Sequence, residues 1–112
     1  MEDEIKAWLA DINQAIEEIQ SFLPEKKDFF EFQKDLKTQR AIERNIEIIG
    51  EAVRRIIKLS PEFPINNARK IVDTRNRIIH GYDSVSKEII WGIVVRDLPS
   101  LEIEIKRLLK DK

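Results

Sequence analysis

Cysteine is absent from the 112 residues of this chain, and histidine occurs once, at His80. The first absence excludes disulfide staples and thiolate metal sites. The second argues against a zinc site built on imidazoles, and no metal or cofactor is expected. Glycine occurs only three times, so there is no glycine-rich phosphate loop, and no G-x-S-x-G elbow is present either. No apolar run approaches the roughly 18 residues that a membrane span needs. The start MEDEIKAWLADINQ is acidic and amphipathic, without the basic and apolar regions of a signal peptide. A cytoplasmic location is the expectation. An excess of one charge is missing too: 20 Lys and Arg face 21 Asp and Glu, for a net charge of -1. Any nucleic-acid contact therefore needs a local basic patch.

What remains is a chain that is 42% hydrophobic and 37% charged, long enough for one domain over residues 1–112 and too short for two. Its period is helical. Ile5, Trp8, Leu9, Ile12, Ile16, Ile19 and Leu23 form one apolar stripe, which predicts a helix from about Glu4 to Phe22. Asp28 and Glu31 give a D-x-x-E start to a second helix. Its apolar positions run through Phe32, Leu36, Ile42, Ile46, Ile49, Val53 and Ile56 with no proline before Pro61. Such a helix of about 32 residues would measure roughly 48 Å and outrun a compact domain. Gly50 inside it points to a close helix–helix contact. A third helix is expected from Asn66 or Asn67 as N-cap. It turns Ala68, Ile71, Val72, Ile78 and Ile79 inward, with His80 in the last turn and Gly81 ending it. A fourth, capped by Ser84 or Ser86, runs through Ile89, Ile90, Trp91, Val94 and Val95. Pro99 predicts a kink or break at Leu98, before a last segment from Ser100 to about Leu109. The pattern predicts an all-α bundle of four to five helices.

The stretch TRNRIIHGYD carries the chemistry worth weighing. A cationic imidazole in the last turn of a helix is favoured by the helix dipole, which is reason enough for a structural histidine. The alternative is catalytic. Imidazole transfers protons near neutral pH, and guanidinium binds phosphate in a planar fork. Together they suit attack of a ribose 2′-hydroxyl on the adjacent phosphate, with no metal needed. Residues five apart on an ideal helix lie about 140° apart, so Arg75 and His80 would not share a face. Either the helix unwinds at His80, or two copies of the chain assemble one site. Arg69, Lys70 and Arg77, opposed only by Asp73, are candidate phosphate contacts. Arg40, Arg44, Arg54, Arg55 and Lys58 interleave with Asp35, Glu43, Glu47 and Glu51 and read as a solvated face.

RNRIIHGY, Arg75 to Tyr82, resembles the Arg-X4-His-X-Tyr motif of the HEPN superfamily, in particular the HepT-like toxins of prokaryotic toxin–antitoxin pairs. DFFEFQKDLKTQRAIERNIEIIGEAVRRI is similar to the family's long second helix with its I-G-E-A centre, and RDLPSLEIEI to its D-L-P-x-L segment. Where many relatives carry a tryptophan–arginine pair after the proline, this chain has Ile65 and Asn66. The resemblance implies a helical bundle that dimerises through the motif helix. It implies a metal-independent endoribonuclease encoded beside a nucleotidyltransferase antitoxin of the MNT type. Arg75 would hold the phosphate, His80 would be the general base or acid, and Asn76 would orient one of them. Tyr82 would be the tyrosine that the antitoxin adenylylates. Two other readings remain: a HEPN module that binds nucleotide or partner and cuts nothing, and a structural helical dimer.

Overall fold

The computed structural model describes residues 2–80 and 86–110, and every described element is helical: α1 Asp3–Ser21, α2 Phe29–Phe32, α3 Leu36–Leu59, α4 Arg69–Ile79, α5 Lys87–Gly92, a π-helical turn Ile93–Asp97 and α6 Leu98–Lys110. The all-α bundle is as the periodicity predicts. Gly81, Tyr82 and Ser84 lie outside the described residues.

α1 buries Ile5, Leu9, Ile12, Ala15, Ile16 and Ile19, one face of a 3.6-residue repeat. That face meets α3, which buries Ile42, Ile46, Ile49, Val53 and Ile56. α6 closes the core with Leu98, Leu101, Ile105 and Leu108. All of these belong to a single apolar cluster.

The long second helix is not continuous. Asp28 caps its start as expected, accepting from the Phe30 N–H at 2.9 Å. Four residues later the chain turns, and Asp35 caps a new helix through the Thr38 N–H and hydroxyl at 3.1 and 2.6 Å. The buried Gln39 amide donates to the Phe32 carbonyl at 2.9 Å, stitching α2 to α3. Two caps seven residues apart end one helix and start another, which a stripe of apolar residues does not reveal. Leu36, expected inward, is consequently exposed. At 24 residues α3 is about 36 Å long. It fits within the 42 Å long axis of the molecule, so no helix end projects.

The start of α4 also differs. Its N-cap is Ala68, with no side-chain hydrogen bond. Glu104 of α6 supplies the anion instead. Only 2% exposed, its carboxylate accepts from the Asn66 and Asn67 backbone N–H groups at 2.8 and 3.0 Å. An acceptor 37 residues away replaces the local cap. Ser86 caps α5 through the Ile89 N–H at 3.1 Å. Pro99 produces no break, for Leu98 keeps helical angles at φ -65°, ψ -41°. The wider π turn just before it relieves the clash of a proline ring with the preceding turn. That turn carries one extra residue and shifts the inward face, burying Ile93 and exposing Val95. Ile89 and Trp91 are half-buried against the core. Trp91 packs at a tilt against the Phe29 and Phe32 rings, with centroids 5.8 and 5.0 Å apart.

Candidate active site

Arg75 lies where α4 crosses α3. A Cβ built on Gly50 would stand 2.6 Å from Arg75 Cβ and 2.7 Å from Cγ, so only glycine lets this stem rest on α3. The close contact predicted from a mid-helix glycine is thus a contact with Arg75 itself. The side chain is 15% exposed, and its guanidinium is held at both terminal nitrogens. Nη1 donates to Asn76 Oδ1 at 2.8 Å, and Nη2 to Glu51 Oε1 at 2.5 Å. Nε is buried without a hydrogen-bond partner.

His80 is the C-cap of α4, with φ -87° and ψ 2° outside the helical region. The chain therefore leaves helical geometry at His80. The ring folds back, and Nδ1 lies 2.7 Å from the Asn76 carbonyl. A carbonyl only accepts, so Nδ1 carries the proton and Nε2 is the basic nitrogen of the neutral ring. Asn76 thus touches both residues, Arg75 through its side chain and His80 through its backbone.

A cavity of about 360 Å³ opens beside Arg75 between α1, α3 and α4, lined by Trp8, Asp11, Arg44, Glu47, Ile48, Glu51, Ala52, Arg55, Arg75 and Ile79. That is near the small end of ligand-sized sites, roughly 300–1,000 Å³. His80 is not among the lining residues. Of the cationic candidates on the motif helix, Arg69 lines a different cavity with Asn66, Val72 and Asp73. Lys70 is exposed and Arg77 half-buried. The cations that do share the cavity with Arg75 come from α3, in the stretch that reads as a solvated face.

Glu51 is the residue that sequence reasoning missed. Its two oxygens also accept from Arg54 Nε and Nη2 at 3.2 and 3.0 Å and from Arg55 Nε at 2.9 Å. The Arg54 hydrogen bonds, then those of Arg55 and the Arg54 and Arg75 charges, hold its carboxyl at about 2 against the opposing effect of partial burial. One signal was present: the mid-helix pair Gly50–Glu51. Arg54 and Arg55 at the i+3 and i+4 positions made the glutamate look like an ordinary surface ion-pair partner. Among the described residues no cluster of three carboxylate or imidazole groups could hold a metal ion, and no helix is long and apolar enough to cross a membrane.

Residues 12–108 match the family model described as "Ribonuclease HepT-like". The chain is 36% identical over 112 residues to "Putative RNase MJ0127" of Methanocaldococcus jannaschii, covering 96% of this chain and 89% of that protein. It is 39% identical over 109 residues to "Probable ribonuclease HepT" of Thermococcus cleftensis, covering 94% and 96%. It is also 29% identical over 113 residues to half of a longer Methanocaldococcus jannaschii protein, "Gamma-glutamylcyclotransferase and putative RNase MJ0434". No solved structure matches.

Proposed function

Because this chain belongs to the HepT-like ribonuclease family, we propose that it is a metal-independent endoribonuclease whose chemistry is run by Arg75 and His80. One observation carries the reading: Asn76 ties the two together, its Oδ1 on Arg75 and its carbonyl on the His80 ring. His80 Nε2 takes the proton of a ribose 2′-hydroxyl as that oxygen attacks the adjacent phosphorus. Arg75 stabilises the charge that builds on the phosphorane oxygens. The bond from phosphorus to the 5′-oxygen breaks, and an imidazolium returns a proton to that leaving oxygen. The products are a 2′,3′-cyclic phosphate and a 5′-hydroxyl.

One histidine per chain suits a homodimer in which the second imidazole comes from the other copy. Exposed Ile48 and Ile79 beside Arg75 support a contact on this side. Arg69, Lys70 and Arg77 along α4 are further candidate contacts for RNA phosphate. We place the protein as the toxin of a type VII toxin–antitoxin pair in the cytoplasm. Its partner is an MNT-type nucleotidyltransferase that silences it by adenylylating Tyr82. Tyr82 follows His80 by two residues in sequence. A second reading, a HEPN module that binds without cutting, draws support from the pairing of Arg75 with Glu51.

Purified protein incubated with RNA in EDTA tests the first reading against the second. Cleavage should persist without metal and leave cyclic phosphate ends. His80→Ala and Arg75→Ala should each lower it by about 10²–10⁴-fold with unchanged circular dichroism. Binding with no cleavage by wild type supports the module instead. Intact-mass measurement after co-expression with the neighbouring nucleotidyltransferase tests the switch. Adenylyl mass should appear on wild type and be absent from Tyr82→Phe.

A further inference from the structure

We propose that Glu51 is a positioning residue for this site, and that Arg55, held on Glu51 beside Arg75, is a second contact for RNA phosphate. The inference rests on the ribonuclease reading. Three guanidinium groups converge on one carboxylate: Arg75 and Arg54 on Oε1, Arg54 and Arg55 on Oε2. These four groups together carry two positive charges net, and the cavity that Arg55 and Arg75 line also holds Arg44, Asp11 and Glu47. Surface ion pairs ordinarily fix little. This one differs because the Arg75 stem is pinned on Gly50, where even a methyl group would not fit. With the stem fixed, Glu51 and Asn76 set the direction of the guanidinium plane.

Arg75 and Arg55 both line the 360 Å³ cavity, whereas Arg54 does not. Arg55 meets Glu51 through Nε alone. Its two terminal nitrogens remain for an anion, in the planar fork that matches phosphate. Arg75 also keeps a second hydrogen on each terminal nitrogen beyond its bonds to Asn76 and Glu51. The carboxylate thus presents two guanidinium groups on one wall without neutralising either of them alone.

The experiment measures kcat and KM on one RNA substrate for Glu51→Ala, Glu51→Gln, Glu51→Asp and Arg55→Ala, with thermal melts of each. It also measures the salt dependence of RNA binding in the His80→Ala background with and without Arg55→Ala. Glu51→Ala and Glu51→Gln should lower kcat by about 10²-fold with a smaller change in KM, as expected when a transition-state contact loses its aim. Glu51→Asp, which keeps the charge, should recover part of it. Arg55→Ala should act mainly on KM and reduce the salt slope by about one phosphate contact. Unchanged or increased kcat in both Glu51→Ala and Glu51→Gln would overturn the positioning role. So would unfolding of both, which would make Glu51 a structural anchor. An unchanged salt slope overturns the Arg55 contact, and that arm holds even in a protein that binds without cutting. Arg75→Ala and wild type separate the two levels. If Arg75→Ala retains cleavage, Arg75 is not part of the chemistry and this inference fails with it; if it loses cleavage while the Glu51 variants keep it, only the present inference fails. A wild type that cleaves nothing fails the ribonuclease reading itself.

Discussion

At the scale of single residues, a glycine and a carboxylate fix where Arg75 lies. Glu51 makes a prediction in pH. Its ordinary value is 4.5 and in the folded chain it is held at about 2, first by the Arg54 hydrogen bonds. A folded-state pKa below the unfolded one contributes stability that is complete above about pH 4.5 and disappears as the pH falls toward 2. Thermal melts of wild type and Glu51→Gln should therefore differ at pH 6 and converge by pH 2. A gap that stays constant over that range would mean the charge is not its source. Gly50 makes a prediction in which two effects oppose each other. Alanine is favoured over glycine inside a helix by about 1 kcal/mol. Overpacking at 2.6 Å from the Arg75 stem costs about 1–3 kcal/mol. Gly50→Ala should therefore change stability by only about 2 kcal/mol or less. Cleavage should fall much more steeply, because the stem that moves belongs to Arg75. Equal losses in activity and in folded fraction would argue that the glycine serves stability alone.

At the scale of elements, α4 is a short helix held at two points that its own sequence does not supply. Its start is held by Glu104 from α6 and its middle rests on Gly50, while its own C-cap, His80, turns back on Asn76. Glu104→Ala leaves the Asn66 and Asn67 N–H groups without their anion. Losing hydrogen bonds to a charged acceptor in a part-buried position should cost roughly 2–4 kcal/mol. Chemical denaturation checks this, and a loss below about 0.5 kcal/mol, within the range of an ordinary surface change, would contradict it. These elements also explain what could be read in advance. The stripes of α1 and α3 were legible because burial on one face imposes a 3.6-residue repeat; that of α4 was legible in part, for Ile71 is buried while Ile79, expected inward, is exposed. Gly50 was legible because a mid-helix glycine has to be compensated by a contact. The break at Asp35 was not, because an aspartate before a helix and an aspartate within one look alike without knowledge of Gln39 reaching back to Phe32. Glu104 was hidden because its partners are 37 and 38 residues away in sequence. The π turn was hidden because Pro99 signals strain and not the way the chain relieves it. In the site itself, Arg75 and His80 could be singled out from their chemistry, and Asn76 from the resemblance of the motif. Their common tie through Asn76 and the role of Glu51 needed the crossing of α3 and α4.

At the scale of the whole molecule, the chain is a slab of 42 × 31 × 18 Å with a radius of gyration of 13.9 Å, close to the roughly 13 Å of a compact monomer this long. Its apolar core is closed by its own helices, so a second copy is not required to complete it. Yet Ile79 is 46% exposed and Ile48 36%, and both line the cavity that holds Arg75. Apolar side chains at the rim of a charged cavity fit an isologous contact, in which the same patch of each copy meets its counterpart. Dimerisation would then serve the site and not the fold. Ile79→Glu separates these roles, since it places a charge at such a contact while changing nothing in the core. The variant should run as a monomer by light scattering at micromolar concentration, keep the helical circular dichroism of wild type, and lose RNA cleavage. Cleavage should return in part at high protein concentration if the interface is weakened and not abolished. A monomeric Ile79→Glu protein with full activity would show that one chain holds a complete site. A variant that remains dimeric would move the contact away from the Ile48–Ile79 face.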